Sequence, residues 1–338
     1  MEKRATSLLT FLAIFLVACS EPTADVHIVD AVPYQADSGN LLVRCGVLID
    51  GEDDAPHKNQ DVLIQSGKIS AVAIVSDVPP NTPILDLSDH TCLPGFIDMH
   101  THIMDDGSQY ANLSGYYKQT LDDALNLGRQ YTQRTLLAGF TSVRNLGVFY
   151  GGSSVRMRDE IIRGDAIGPR MQVSSFYLTV PGGGGDLLTP GTPAEDVPSH
   201  LRQGVARGPD AFRVKAQAAI DSGADLLKII ASGAVLAFEG APPDPELTPG
   251  EIAAIVEVAH ASDIKVTAHA HGARSIKEAI LSGVDTIEHA SLIDDEGIRL
   301  AAERGVALSM DIYHGDWISE EGRKQKWPAE FIRKNDEL

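Results

Sequence analysis

Basic residues are scarce in this 338-residue chain: 28 Lys and Arg stand against 47 Asp and Glu, a formal net charge of −19 at pH 7. That balance argues against nucleic acid as a partner, because phosphate contacts need clustered Lys and Arg. It says little about a small substrate, since net charge reports solubility and steering rather than local polarity. Cysteine is scarce too. Only Cys19, Cys45 and Cys92 occur, too few for a disulfide framework. Cys45 and Cys92 read as buried thiols, with pairing in an oxidising compartment left open. The apolar run from Leu8 to Ala18 is too short to span a bilayer comfortably. What remains is 43% hydrophobic and 6% aromatic, the make-up of an ordinary globular protein with ample core material.

The N-terminus reads as a targeting segment. Lys3 and Arg4 precede the apolar run, as in a secretory signal. Leu16-Val-Ala-Cys19-Ser then resembles the lipobox of bacterial lipoproteins, in which the cysteine is lipidated. Residues 1–19 are thus expected to be a lipoprotein signal peptide with Cys19 as the lipidation site, and 20–38 a linker. The resemblance implies a cell-envelope lipoprotein on the periplasmic face of the outer membrane, touching the bilayer only through its anchor.

Two textures follow. Residues 39–91 alternate short apolar runs with turns, predicting a small β-sandwich, here partial. From residue 92 to 338, strand-like segments at 93–102, 140–147, 171–179, 225–232, 264–271, 286–291 and 306–313 alternate with helical patterns. Such βα repeats predict an α/β fold, either a (β/α)8 TIM-type barrel or a doubly wound sheet. Chemistry-bearing residues on four different strand ends favour the barrel, whose strand ends converge. Seven strands are counted where eight are needed, so a C-terminally truncated barrel is expected, with the gene product longer than this chain.

The strand ends carry His100 and His102, Lys228, His269 and His289. Imidazole is the commonest ligand for zinc-like ions. Residues i and i+2 on a strand share a face, so His100 and His102 can address one ion. Lys228, in the apolar run Leu226-Leu-Lys-Ile-Ile230, is costly to bury as an ammonium. Beside divalent ions a carbamate formed from CO₂ on the neutral amine is the sensible form; a lysine snorkelling from a strand end is the alternative.

Pro94-Gly-Phe-Ile-Asp-Met-His-Thr-His102, Gly223-Ala-Asp-Leu-Leu-Lys228, Val266-Thr-Ala-His269 and Gly283-Val-Asp-Thr-Ile-Glu-His289 together resemble the amidohydrolase superfamily, in its binuclear Xaa-Pro dipeptidase and imidazolonepropionase-like branch. The likeness covers residues 41–338. It implies His100 and His102 on the more buried of two divalent metal ions, His269 and His289 on the other, and carboxylated Lys228 bridging them. Zinc is the default, with iron, manganese and cobalt as alternatives. It implies hydrolysis of an amide bond in a dipeptide or N-acyl amino acid by a hydroxide shared between the ions. His271, Tyr177 and Tyr313 are candidate contacts for that small-molecule substrate; homo-oligomerisation stays open.

The chain departs from the pattern in three places. The catalytic Asp at the end of strand eight is absent, and Asp311 and Asp316 sit on the wrong strand to replace it. Gly184, within Pro181-Gly-Gly-Gly-Gly-Asp186, stands where relatives often have His. Asn145 stands where they usually have Asp. The competing readings are a cyclic-amide hydrolase on the same metals, an inactive truncated fragment and, most distantly, a solute-binding lipoprotein.

Overall fold

Residues 40–73 carry apolar residues at alternate positions between turn signals, and they fold as a meander. In the computed structural model, which describes residues 39–311 and 313–338, β1 (Asn40–Leu48), β2 (His57–Gln65), β3 (Lys68–Ala73) and β4 (Ile84–Cys92) form one sheet in the order β3-β2-β1-β4. The signal segment, Cys19 and the linker lie outside the described residues. Ser66 and Gly67 both take positive φ, 53° and 72°, and close the β2–β3 hairpin as a two-residue turn whose twist suits the strands. Leu42, Cys45 and Leu48 of β1 are buried, whereas β3 and β4 are mostly exposed. A Cys45–Cys92 disulfide joins β1 to β4. This corrects the reading of two free thiols: strands 47 residues apart in sequence are parallel neighbours in the sheet, which only the pairing reveals. The sheet belongs to one compact unit ending at Pro94, three residues past the expected boundary, and one sheet of the expected sandwich is present in it among the described residues.

The second unit, from Gly95, alternates strand and helix. In chain order it has β5 (Phe96–Thr101), α1 (Leu121–Leu137), β6 (Phe140–Asn145), α2 (Ser153–Arg163), β7 (Arg170–Val173), β8 (Tyr177–Leu178), α3 (Pro209–Asp221), β9 (Leu226–Ile230), α4 (Pro249–Ala261), β10 (Lys265–Gly272), α5 (Ala273–Leu281), β11 (Thr286–Leu292), α6 (Asp295–Arg304), β12 (Ala307–Ser309), α7 (His314–Gln325) and α8 (Ala329–Asp336). All strand pairings are parallel, in the orders β5-β6-β7 and β8-β9-β10-β11-β12. The expected third strand, 171–179, is thus split: β7 pairs with β6 and β8 with β9, with residues 174–176 between them. Among the described residues, the outer edges of β5 and β12 pair with no strand.

Period-2 alternation sorts the side chains. Leu227 and Ile229 of β9 and Val266, Ala268 and Ala270 of β10 pack outward into the core beneath the helices. Lys228, Ile230, His269 and His271 point to the other face and line a cavity. Parallel strands covered on both faces explain why β9 is buried throughout. The helices begin and end by recognisable devices. Thr248 and Glu251 form a reciprocal capping box on α4 with Pro249 at its first turn, and Gly305 closes α6 in the left-handed conformation.

Candidate metal centre

The inward faces of β5, β6, β9, β10 and β11 meet at the strands' C-terminal ends around a cavity of about 1390 Å³. Asp98, His100 and His102 share one face of β5, and the two imidazole Nε2 atoms converge to 3.3 Å. Each ring is held from behind. His102 Nδ1 lies 3.0 Å from the Tyr177 hydroxyl and 3.3 Å from the Gly147 carbonyl. His100 Nδ1 lies 3.1 Å from Glu288 Oε2, off the hydrogen-bonding line. Carbonyl and carboxylate partners of this kind fix ring orientation and leave the other nitrogen free to ligate.

Across the cavity, His269 Nε2 sits 3.2 Å from the Gly233 carbonyl, and His271 Nδ1 lies 2.8 Å from Ser291 Oγ. Alternation along β11 would turn His289 away once Glu288 faces inward. The backbone reverses this: His289 and Ala290 take φ of 69° and 53°, so both Glu288 and His289 serve the interior. Left-handed backbone at non-glycine residues costs about 1–3 kcal/mol and persists where the surroundings demand it. His289 Nδ1 then contacts the Asp311 carboxylate. Nitrogens of His269, His271 and His289 come within 4.8 Å of one another, as do the donors of His100, His289 and Asp311.

The electrostatics suit ligation. Burial, reinforced by Lys228, lowers His100 and His102 to about 3. Burial likewise lowers His289 to about 4 and holds His269 and His271 well below the ordinary histidine range. The imidazoles are therefore neutral at pH 7, the form that binds metal. Lys228 is 1% exposed, and its Nζ has no hydrogen-bond partner among the described residues. Burial lowers it to about 8, so the amine gives up its proton far more readily than an exposed lysine. Beneath these groups lies a network that composition and spacing did not announce. Glu288 Oε1 accepts from Arg144 Nη2 at 2.5 Å, from Thr286 Oγ1 at 3.0 Å and from Thr267 Oγ1. Arg144 also donates to the Met99 carbonyl at 2.6 Å. Burial pushes the Glu288 carboxyl up, but His100, Lys228 and Arg144 outweigh it and hold the group well below the usual range.

All five proposed ligands, His100, His102, Lys228, His269 and His289, line this one cavity, as do His271 and Tyr177. Tyr313 does not; it is 61% exposed before α7. Asp311, set aside as lying on the wrong strand, belongs to the cluster: burial would raise it, yet His289 and His314 hold it well below the usual carboxylate range. The glycine run forms a fixed loop. Arg202 grips Asp186 with two bonds of 2.7 Å, and the Gly184 N–H donates to Glu246. A Cβ at Gly184 would fall 2.6 Å from Ala234 Cβ, so no side chain fits there. Asn145 Oδ1 accepts from the Ile103 N–H at 2.8 Å, a task a neutral amide does without adding charge.

Known proteins resemble this chain in sequence and fold. Residues 91–337 match the amidohydrolase family, whose solved members carry a TIM-barrel-type α/β fold. Ochratoxinase from Aspergillus niger is 29% identical over 282 residues, covering 78% of this chain and 57% of its own length; the chain thus spans little more than half of that relative. A solved Xaa-Pro dipeptidase with methionine bound in its active site superposes with TM-score 0.78 at 30% identity, over 88% of this chain and 73% of that one. A prolidase complexed with N-methylphosphonate-L-proline gives TM-score 0.80 at 29% identity, over 88% and 72%.

Proposed function

The chain belongs to the amidohydrolase family, and from that premise we propose that it is a metal-dependent hydrolase of an amide bond in a dipeptide or N-acyl amino acid, with Xaa-Pro dipeptides the first substrates to try. The observation that carries this is the convergence of four neutral histidines and a buried, unpartnered lysine on one cavity. Neutral imidazoles on orienting partners are ready ligands, and an orphaned buried amine calls for either a charge partner or conversion to an anion. The residues therefore fit a pair of divalent ions, zinc by default, with His100 and His102 holding one, His269 and His289 the other, and Lys228, as a carbamate, between them.

Bound there, the ions would supply a nucleophile near neutral pH by lowering the pKa of water, and would polarise the scissile carbonyl. The chain's own contribution is positional. Glu288 and the Gly147 carbonyl fix the rings of His100 and His102. Asp311, kept ionised by His289 and His314, is suited to ligation and is too weak a base to carry a proton unaided. The Tyr177 hydroxyl, 3.0 Å from His102, stands at the cavity wall where a substrate carbonyl or amide would pass. As for place, the Cys45–Cys92 disulfide belongs in an oxidising compartment, which supports export and the lipid anchor proposed at Cys19.

Metal analysis with a substrate panel tests this. The protein should hold about two divalent ions per chain and cleave Xaa-Pro or acyl-amino acid amides. Lys228→Ala should lose at least one ion and about a thousandfold or more in kcat/KM, roughly 4 kcal/mol of transition-state stabilisation. Full metal retention in that variant would refute the bridge, and turnover of cyclic amides alone would refute the substrate class.

A further inference from the structure

Beyond the end of β5 and three residues after His102, the chain places Asp105 in the wall of the same cavity. Its Oδ2 is buried and has no hydrogen-bond partner among the described residues. The Tyr116 hydroxyl is near enough to pull the carboxyl down a little, yet neither its oxygen nor Asp105 Oδ2 makes a well-formed hydrogen bond among the described residues. The neighbouring Asp106 shows what a spent carboxylate looks like here: it caps the following turn through the Ser108 N–H at 2.9 Å and receives the Tyr131 hydroxyl at 3.3 Å. Three tyrosines are near enough to feel the charge of Asp105, namely Tyr110, Tyr116 and Tyr177. Phe149 meets Tyr116 edge-on at 5.2 Å and Tyr177 at 5.3 Å between centroids, and Tyr110 lines the cavity alongside. Tyr177 joins this wall to the metal centre through His102.

Two cations line the cavity among the described residues, Arg144 and Lys228. Arg144 is bound to Glu288, and Lys228 lies within the histidine cluster, so neither answers Asp105. A buried carboxyl oxygen left without a partner costs about 1–3 kcal/mol, more when charged. What satisfies it must donate, and aromatic faces around it favour a positive donor. An anionic ligand group would be repelled.

We propose that Asp105, walled by Tyr110, Tyr116, Tyr177 and Phe149, binds the protonated amine of the substrate, so that the site selects amides whose acyl part carries a free ammonium over deamino counterparts. This rests on the amide-hydrolase reading above and narrows its substrate class from acyl-amino acids in general to aminoacyl ones. Asp105 is then a specificity residue and touches no reacting bond.

The test compares L-phenylalanyl-L-proline with 3-phenylpropionyl-L-proline, which differ by the amine alone, on the metal-loaded full chain. The wild type should favour the amine by about 10- to 100-fold in kcat/KM, the span of a charge-assisted hydrogen bond. Asp105→Asn should bring that ratio toward one, while Asp106→Asn should leave it at the wild-type value. A ratio unmoved by Asp105→Asn, or a wild type preferring the deamino compound, overturns the proposal. If neither compound is cleaved, the hydrolase reading fails on its own terms. Calorimetric titration with phenethylamine against 2-phenylethanol then decides the subsite: tighter binding of the amine that Asp105→Asn abolishes supports it, and equal affinities in both proteins refute it.

Discussion

Asp105 lines the cavity and Glu288 is buried beneath its histidines, and the fold treats the two carboxylates oppositely. Glu288 lies on the floor, where Arg144, Thr267, Thr286 and His100 reach it from four strands. Asp105 lies in the wall, where the neighbours are phenol and phenyl rings and its Oδ2 is left without a partner. Burial penalises both. On the floor, the penalty is outweighed by His100, then the cationic form of Lys228 and Arg144, and the carboxyl is held far below its ordinary range. In the wall only the Tyr116 hydroxyl opposes it, and burial lifts the carboxyl to about 7. A partnered buried charge organises the protein around itself. An unpartnered one marks a place that something else completes, because folding alone gives no reason to keep it.

The strongest way to break this contrast is to strip the floor. Arg144→Met leaves Glu288 buried without its arginine, and breaking such a pair costs about 3–5 kcal/mol. Denaturant unfolding of the metal-free protein should show a loss of that size in the strand–helix unit. A change below about 1 kcal/mol would mean that Glu288 is served by its threonines and that the arginine is incidental.

Acid should separate the two carboxylates by sign. The histidines of the metal-free centre are lowered, His100 and His102 to about 3 and His289 to about 4, whereas in the unfolded chain they titrate near 6.5. The unfolded state therefore takes up more protons below that value. Their contribution is complete above pH 6.5 and is lost as pH falls toward 4. Glu288, also lowered, contributes above its ordinary range near 4.5 and is lost below it. Treated as one coupled group, the histidine cluster should cost about 1.3 kcal/mol between pH 7 and pH 5.5, the slope approaching roughly 1.4 kcal/mol per pH unit only below 6.5. Thermal melts of metal-free protein across that window should fall with acid; a midpoint that rose would show charged histidines in the folded state.

How much of this was readable from the chain follows from how local each signal is. His100 and His102 share a face by strand period alone, and Lys228, His269 and His289 announce themselves as polar residues in apolar runs. The alternation that made them legible also hid Glu288. With His289 facing inward, its predecessor should face out, and only the left-handed backbone at 289 and 290 lets both turn in. Arg144 and Glu288 are 144 residues apart, so no spacing rule links them. The Cys45–Cys92 bond needed the parallel pairing of β1 with β4. Asp105 was invisible for the same reason: its wall is assembled from rings at 110, 116, 149 and 177, which three separate segments bring together. Asp311 was excluded by strand count and admitted by geometry, since the turn after β12 carries it to His289.

The smallest effect is the most telling for the wall. Asp105 has its folded pKa raised, to about 7, against about 3.9 in the unfolded chain. The sign is therefore the reverse of Glu288: stability is undiminished below about pH 4 and declines as pH rises toward 7, because the unfolded chain ionises first and the folded one must follow unpaired. Asp105→Asn removes that decline. At pH 8 the variant should be the more stable of the two, and at pH 4 the two should coincide. Bringing an amine to the wall should raise wild-type stability at pH 8 and leave the variant unmoved, since only the wild type has a charge to be answered. If Asp105→Asn instead costs several kcal/mol at both pH values, the carboxyl is a structural partner like Glu288, and the difference between floor and wall disappears.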